Sequence, residues 1–333
     1  MKLLNNNAIL IGMLFAMLLS LTSFDVYATV NFTANNEKSD NDSEPKIKPL
    51  SSNNSSSLPN LTAMQPDDKV KVLASFYPIY EFVKEIGKDR VEAESLIPVG
   101  IEPHDFEPTV QHIQNAENAD LIVYNGGGFE GLWPDRINNE NKLDLAKALN
   151  LTRNGDTIDP HIWLDPILVK EQIGIIRDEL IKVDSANANY YKQNAQNLTS
   201  ELDTLDSYIK QAFSSCQKKD FIAFHNAFSY FTDRYGLTPH SISETLAPEG
   251  EVLPQRIPQI IQLAQQLGIS TIYAEDLIDP RSAQVIAQEI PGGKVLTLSP
   301  IEGITEEEQN KGIGYMDKMK QNVDNLKIGL ECN

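Results

Sequence analysis

Strand and helix signals alternate along residues 71–330, and this alternation constrains the fold more than any other feature of the chain. Short runs of apolar and β-branched residues predict strands, and longer runs with apolar side chains three to four positions apart predict helices. Strands separated by helices pair in parallel. We therefore predict an α/β fold of two lobes, each with a mainly parallel sheet flanked by helices. The predicted strands are Lys71–Ser75, Val91–Ile97, Asp120–Tyr124, Phe221–His225, Leu237–Ser243, Thr271–Ala274 and Lys294–Leu298. The predicted helices are Pro78–Gly87, Thr109–Ala119, Pro166–Lys182, Asn187–Ser214, Ala227–Tyr235, Pro254–Leu267, Arg281–Ile290 and Tyr315–Leu330.

A long helical stretch separates the two halves of this pattern. Residues 187–215 carry apolar side chains at a helical period. A helix of this length spans about 40 Å, which is enough to cross a domain. We predict that this linking helix joins an N-terminal α/β lobe over residues 70–186 to a C-terminal α/β lobe over residues 216–333.

The N-terminal residues differ in composition from the rest of the chain. Residues 1–28 contain one lysine, an apolar stretch that is short for a membrane span, and small residues at their end. This pattern is typical of a signal peptide or of an N-terminal anchor. Residues 29–69 are rich in Asn, Ser, Asp, Lys and Pro, which predicts a disordered polar tether. We therefore expect an extracytoplasmic protein, either secreted, periplasmic-like or tethered to the cell surface by its N-terminus.

The charge and the cysteines narrow the choice of partners and compartment. Asp and Glu outnumber Lys and Arg by 47 to 28, and the formal charge of −19 argues against binding to nucleic acid or to anionic membranes. Cys216 and Cys332 are the only cysteines. In an oxidising compartment they could form one disulfide that closes the C-terminal lobe.

Three of the five histidines lie in segments that favour metal binding. His104, His161 and His225 each lie in a turn rich in proline and acidic residues or at the end of a predicted strand. Three imidazoles and one carboxylate or water form a tetrahedral zinc site. Because the three histidines are far apart in the sequence, the fold itself must bring them together. His112 lies in a predicted helix and His240 in a short extended run, and neither is predicted to bind metal.

Acidic residues accompany two of these histidines. A carboxylate that accepts the second N–H of a metal-binding imidazole fixes its tautomer. The acids placed to do so are Glu102, Asp105, Glu107, Asp159 and Asp165. His104 and His225 follow predicted strands, and ligands of parallel sheets bind beyond the carboxyl ends of strands.

Six motifs in order resemble the metal-specific solute-binding proteins of ABC transporters, the cluster A-I family, which capture zinc or manganese. The resemblance extends over essentially all of residues 70–332. Its motifs are Ser75-Phe-Tyr-Pro78, Gly100-Ile-Glu-Pro-His-Asp-Phe-Glu-Pro108, Asp159-Pro-His-Ile-Trp-Leu-Asp-Pro166, Phe224-His-Asn-Ala-Phe-Ser-Tyr-Phe231, Tyr273-Ala-Glu275 and Leu298-Ser-Pro-Ile-Glu-Gly303. The resemblance implies two lobes joined by one long helix, a metal held in the cleft between them, and delivery to a membrane permease with its ATPase.

The resemblance also implies the ligands. His104 and His161 would come from the N-terminal lobe and His225 from the C-terminal lobe. A histidine at the third position resembles the zinc members, since manganese members usually have glutamate there. Imidazole-rich sites suit zinc, and oxygen-rich sites suit manganese.

The fourth ligand is the point at which the sequence departs from one common family pattern. Many relatives have an aspartate where Ser299 stands. Other zinc-binding members use a glutamate three residues later, and Ser299-Pro-Ile-Glu302 resembles that version. We therefore expect Glu302 to complete the zinc site, with Glu275, Ser299 or water as the alternatives.

The predicted function is capture of Zn²⁺ as a transported ligand, with manganese or another divalent metal as the alternative. A secreted zinc hydrolase is a further alternative, because three histidines and a water also form catalytic sites. The sequence contains neither a His-Glu-x-x-His nor a Gly-x-Ser-x-Gly motif. We therefore predict a monomeric binding protein that is not an enzyme.

Overall fold

The computed structural model describes residues 69–151, 158–247 and 255–333. The predicted signal peptide or anchor, residues 1–28, and nearly all of the predicted tether, residues 29–69, lie outside these described residues. Among the helices within the described ranges, none has both the length and the apolar character that a membrane crossing requires.

The first lobe is built on a four-stranded parallel sheet. Its strands are β1 (Val70–Ala74), β2 (Val91–Ser95), β3 (Leu121–Tyr124) and β4 (Lys142–Asp144), in the order β2-β1-β3-β4. The strand β3 is buried almost throughout, as expected for a strand covered by helices on both faces. The helices of this lobe are α1 (Tyr77–Gly87), α2 (Val110–Ala116), α3 (Trp133–Arg136), α4 (Leu145–Ala148) and α5 (Pro166–Val183).

One helix of 26 residues, α6 (Ala188–Phe213), follows the first lobe and leads into the second. Its buried positions recur at the helical period, among them Leu198, Leu202, Leu205 and Ile209. This apolar stripe lets α6 pack against α1 and α5 of the first lobe along much of its length.

The second lobe repeats the architecture of the first. Its strands are β5 (Asp220–Ala223), β6 (Thr238–Ser241), β7 (Thr271–Ala274) and β8 (Lys294–Thr297), again all parallel and in the equivalent order β6-β5-β7-β8. The predicted fold of two parallel-sheet α/β lobes is thereby confirmed. The helices of this lobe are α7 (Ser229–Tyr235), α8 (Arg256–Leu267), α9 (Arg281–Gln288), α10 (Glu306–Asn310) and α11 (Tyr315–Gly329).

The two lobes share one hydrophobic core. A single cluster of buried side chains includes Phe76 and Trp163 of the first lobe, Leu202 of α6, and Tyr273 and Tyr315 of the second lobe. Smaller clusters cover the remaining faces of the two sheets. Because the main core is continuous, the lobes are packed together and not merely linked by α6.

Hydrogen bonds between the lobes converge on Trp163. Its indole Nε1–H donates to the carbonyl of Pro300 at 2.7 Å, and its own carbonyl accepts from the hydroxyl of Tyr315 at 2.6 Å. A backbone bond from Gly100 N–H to the carbonyl of Ile304, 2.9 Å long, joins the lobes at a second point. These bonds attach the turn after β8 and the start of α11 to the first lobe.

The two cysteines form the predicted disulfide. Cys216 lies just after α6 and Cys332 just after α11, and their backbones pair as an isolated antiparallel bridge. The bond therefore links the linking helix to the C-terminal end of the chain.

Candidate metal centre

The fold brings His104, His161, His225 and Glu302 to one point between the lobes. His104 lies in a single turn of 3-10 helix, Pro103–Asp105, that follows the loop after β2. His161 precedes another such turn and α5, whereas His225 follows β5 and Glu302 follows β8. These positions agree with the rule that ligands of parallel sheets bind beyond the carboxyl ends of the strands.

The distances among these side chains match a tetrahedral site. The Nε2 atoms of His104, His161 and His225 lie 3.3, 3.3 and 3.4 Å from Oε1 of Glu302. The Nε2 atoms of His161 and His225 are 3.3 Å apart. Zinc bonds of about 2.0–2.1 Å at tetrahedral angles place ligand atoms about 3.3–3.4 Å from one another. These four distances therefore fit one zinc ion at the centre, and all four ligand atoms lie within 4.8 Å of one another.

His104 is more exposed to solvent than the other three residues of the site. The side chains of His161 and His225 are 0% exposed and that of Glu302 is 1% exposed, whereas that of His104 is 9% exposed. A cavity of about 1120 Å³ borders His104 and is lined by both lobes, with Phe106 and Phe129 on one side and Leu246 on the other. An ion from solvent therefore reaches the site most directly along the side of His104.

Asp159 fixes the orientation of His161. Its Oδ1 atom lies 2.7 Å from the imidazole Nδ1 and also accepts the backbone N–H of His161 at 3.0 Å. An ionised carboxylate can only accept, so Nδ1 carries the proton and Nε2 presents its lone pair to the site. The prediction that an acid beside this histidine sets its tautomer agrees with this contact.

Glu275 does the same for His225. Its Oε1 atom lies 2.6 Å from the imidazole Nδ1 and 3.3 Å from the backbone nitrogen of His225. The sequence motifs indicate Glu275 only as an alternative fourth ligand and do not reveal this orienting role. Its position directly after β7, the strand next to β5 in the sheet, is the signal that could have indicated it.

The other acids near the histidines have different roles from those expected. Glu102 accepts the backbone N–H of His104 at 3.3 Å, whereas Asp105 and Glu107 are exposed. Asp165 caps α5 through the N–H of Ile167 and pairs with Arg234. The expectation that Asp165 supports a histidine is therefore wrong, because a cation of the second lobe and a helix N-terminus occupy its carboxylate.

The carboxylates and imidazoles of the site shift one another's pKa values. Burial opposes a positive charge on His225, but the carboxylates of Glu275 and Glu302 outweigh this effect and hold its pKa well above the usual range. Burial likewise opposes the charge of Glu302, yet the three imidazoles hold its pKa well below the usual range. Burial, together with the nearby charge of Glu302, raises the pKa of Glu102 to about 9. In the metal-free site, the negative charge of Glu302 and a proton on His225 therefore favour each other.

Aromatic rings form one wall of the site. Phe129 packs edge-on against His104 with ring centroids 4.9 Å apart, and Trp163 lies 5.2 Å from His161. Phe76 contacts both of these aromatic residues at 4.5 and 4.7 Å. A wall of this kind excludes water and lowers the local dielectric constant, which strengthens the electrostatic attraction between a cation and Glu302.

The two remaining histidines lie outside the cluster. His112 belongs to the N-terminal cap of α2, where its Nδ1 accepts the N–H of Thr109 at 3.2 Å. His240 lies on β6 and pairs with Asp220 at 2.9 Å. Both contacts give these histidines structural roles.

One carboxylate oxygen of Glu302 supports a metal site on independent grounds. Its Oε2 atom is buried and has no hydrogen-bond partner in the part of the chain that the structure describes. A buried carboxylate oxygen without a partner is costly, and a bound cation would compensate for it. The donor set and this atom therefore both fit a zinc ion held between the lobes.

Comparisons with known proteins agree with this site. A family model described as "Zinc-uptake complex component A periplasmic", ZnuA, matches residues 72–329. The chain is 34% identical over 283 residues to the high-affinity zinc uptake system protein ZnuA of Bacillus subtilis, covering 79% of this chain and 88% of that protein. It is 30% identical to the zinc-binding protein AdcA of Streptococcus pyogenes but spans only 56% of that protein's length.

A solved structure shows the same architecture. The Zn(II)-bound ZnuA-like domain of Streptococcus pneumoniae AdcA superposes with a TM-score of 0.71 at 28% identity, covering 79% of this chain and all of that domain. Because the family model matches well over half of the chain, the protein belongs to the ZnuA family of zinc-uptake component A proteins.

Proposed function

We propose that the protein is an extracytoplasmic zinc-binding protein. It captures Zn²⁺ through His104, His161, His225 and Glu302 and delivers the ion to an ABC permease with its ATPase. The family is a component of zinc uptake, and relatives are named for zinc uptake and zinc binding. The observation that carries the proposal is the spacing of 3.3–3.4 Å between Oε1 of Glu302 and the three imidazole nitrogens.

The ligand types favour zinc over manganese. Three imidazoles and one carboxylate form a tetrahedral, nitrogen-rich set, whereas manganese prefers more oxygen ligands and a higher coordination number. Four protein ligands also leave no open position for a catalytic water. This argues for capture and against a zinc hydrolase, which a screen with ester, peptide and phosphate substrates would test.

Contacts of the competing residues support Glu302 as the fourth ligand. Oε1 of Glu275 is already bound to Nδ1 of His225, the nitrogen that faces away from the other donors. The hydroxyl of Ser299 donates to the carboxylate of Asp276. A hydroxyl that keeps its proton is also a weak zinc ligand, and it would bring no negative charge to a site of three neutral imidazoles.

Zinc titration of the metal-free protein tests the proposal. We expect one ion per chain, with manganese and nickel competing poorly. His104→Ala, His161→Ala, His225→Ala and Glu302→Ala should each weaken binding more than about 100-fold, since losing a ligand costs more than the 10- to 100-fold typical of its supporting residues. His240→Ala is the matched control, because that imidazole also pairs with a carboxylate but lies outside the cluster. Two ions per chain, or unchanged affinity in the four ligand variants, would contradict the proposal.

A further inference from the structure

The turn that carries Glu302 has a strained backbone. Ile301 has a φ of 57°, in the left-handed region, and its side chain is fully buried. A β-branched residue rarely adopts this conformation because its side chain collides with the backbone. Such strain persists only where the surrounding structure enforces it, and it concentrates at functional sites. Contacts around the turn must therefore hold Ile301 in place and with it the direction of Glu302.

Ser299 makes the contacts that hold this turn. Its hydroxyl oxygen accepts the N–H of Ile301 at 3.0 Å, and the hydroxyl proton is directed to the carboxylate of Asp276 at 2.9–3.0 Å. The backbone N–H and carbonyl of Ser299 are both bound by the side-chain amide of Asn322, at 2.8 and 2.6 Å. Ser299 is thus fixed on every polar group, and it fixes the Pro300–Ile301 peptide, one residue before Glu302.

A buried lysine anchors the same network. Lys318 of α11 is 2% exposed, and its ammonium contacts the carboxylate of Asp276 and that of Glu308 at 2.8 Å. Burying a lysine is unfavourable unless its charge is closely paired. Asp276 therefore has a cation behind it and the Ser299 hydroxyl in front of it, which leaves it one orientation.

The dipeptide Glu275-Asp276 connects this network to the rest of the site. Glu275 orients His225 through its imidazole Nδ1, and Asp276 orients Ser299, whose hydroxyl accepts the N–H of Ile301. The end of β7 thus controls both residues that the second lobe presents to the cluster. Neither Ser299 nor Lys318 is among the side chains that converge on the metal position.

On the basis of the proposed zinc function, we infer that Ser299, Asp276 and Lys318 are positioning residues for Glu302. They hold the Ile301 peptide in its left-handed conformation and so preorganise the carboxylate toward the three imidazoles. Their contribution to zinc affinity acts entirely through Glu302.

A double-mutant cycle tests this role. Ser299→Ala and Lys318→Met should each weaken zinc binding about 10- to 100-fold, the range typical of residues that orient metal ligands. In a Glu302→Ala background, the same substitutions should cause almost no further loss, because the group they orient is absent. Lys320→Met is the matched control, since Lys320 lies on the same helix but is exposed.

The visible absorption spectrum of the cobalt-substituted protein is a second measurement, and general destabilisation of the fold would not change it. The visible spectrum of bound Co²⁺ should change in Ser299→Ala in the same direction as in Glu302→Ala, as water replaces a displaced carboxylate. Wild-type zinc affinity in both positioning variants, or an equal loss in the presence and absence of Glu302, would overturn the inference. A wild-type protein that binds no zinc, or a Glu302→Ala variant with undiminished affinity, would instead overturn the proposed function and the inference with it.

Discussion

Carboxylates determine which nitrogen of each fully buried imidazole faces the centre of the site. Asp159 and Glu275 each bind an Nδ1 atom at 2.6–2.7 Å, which leaves the Nε2 atoms of His161 and His225 directed inward. Among the described contacts, no carboxylate lies on Nδ1 of His104, and His104 is also the most exposed of the three. The site therefore combines two rigidly oriented donors with one donor at the solvent side.

The same carboxylates predict how zinc binding depends on pH. His225 must release its proton to bind zinc, and its pKa in the metal-free protein is held well above the usual range by Glu275 and Glu302. Below that raised pKa the proton competes with the metal, so zinc affinity should rise with pH by about tenfold per unit for each proton displaced. The rise should continue above the pH at which an ordinary histidine is already neutral. Competition titrations with a zinc chelator between pH 5.5 and 8.5 measure this.

Glu275→Gln provides the internal check of this prediction. Removing the negative charge lowers the pKa of His225 in the metal-free protein, so the rise in affinity should move to lower pH. Asp220→Asn is the matched control, because Asp220 pairs with His240 away from the site and should leave the curve unchanged. If the Glu275→Gln curve overlays that of the wild type, Glu275 does not control the proton on His225.

Most of the site was predictable from the sequence because its residues lie in distinctive local motifs. The histidines stand beside prolines and acids that form tight turns, and Glu302 lies in a recognisable Ser-Pro-Ile-Glu segment. The roles of Ser299, Asp276 and Lys318 were not predictable in this way. Their contacts join β7, the turn after β8 and α11, and no local pattern specifies which side chains meet between these elements.

At the scale of elements, the alternation of signals predicted the long helices and most strands to within a few residues. The strand β4 was missed because its three residues, Lys142–Asp144, are too few to show a period. The helices α3, α4 and α10 were missed for the same reason, since they contain four or five residues each. Long, strongly periodic elements can be predicted from one sequence, whereas short edge elements depend on the sheet they join.

The disulfide is an element-scale feature with a predictable effect on stability. Replacing both cysteines with serine removes a link between residues separated by 116 positions. The chain-entropy effect of such a loop is about 5 kcal/mol, so the free energy of unfolding should fall by an amount of this order. Urea denaturation of the metal-free double variant measures it.

Zinc affinity should stay unchanged in the same variant. Cys216 precedes β5, whereas His225 follows it, so the disulfide lies at the opposite end of the strand from the metal position. A variant of normal stability would indicate that the loop is constrained by packing alone. A variant with weakened zinc binding would indicate that strain passes from the disulfide to the site.

At the scale of the whole molecule, the shared core limits how far the lobes can move. Side chains from both lobes and from α6 belong to one buried cluster, and hydrogen bonds through Trp163 join the first lobe to the turn before Glu302. A wide opening would expose this core to water at a large cost in free energy. We therefore expect zinc binding to order the loop around His104 without a large rotation of the lobes.

Hydrogen exchange of the full chain tests this expectation. Addition of zinc should slow amide exchange chiefly in residues 100–106, the loop of the partly exposed His104. Exchange in α5, α6 and α11 should remain within about twofold of the metal-free protein, because these core helices unfold only in rarer openings. Broad protection or deprotection of those helices would instead indicate that the lobes separate in the absence of metal.

The contacts through Trp163 have a consequence for how a transporter could tell loaded protein from empty protein. If the lobes keep the same relative position in both states, the angle between them carries no information about the cargo. The turn that carries Glu302 is already held by Ser299 and, through the Pro300 carbonyl, by Trp163, so the two states then differ chiefly in the order of the loop around the partly exposed His104. A permease that selects loaded protein would have to distinguish an ordered local surface from a disordered one. Its discrimination between the two states would then depend on the conformational entropy of a few residues more than on the shape of the molecule.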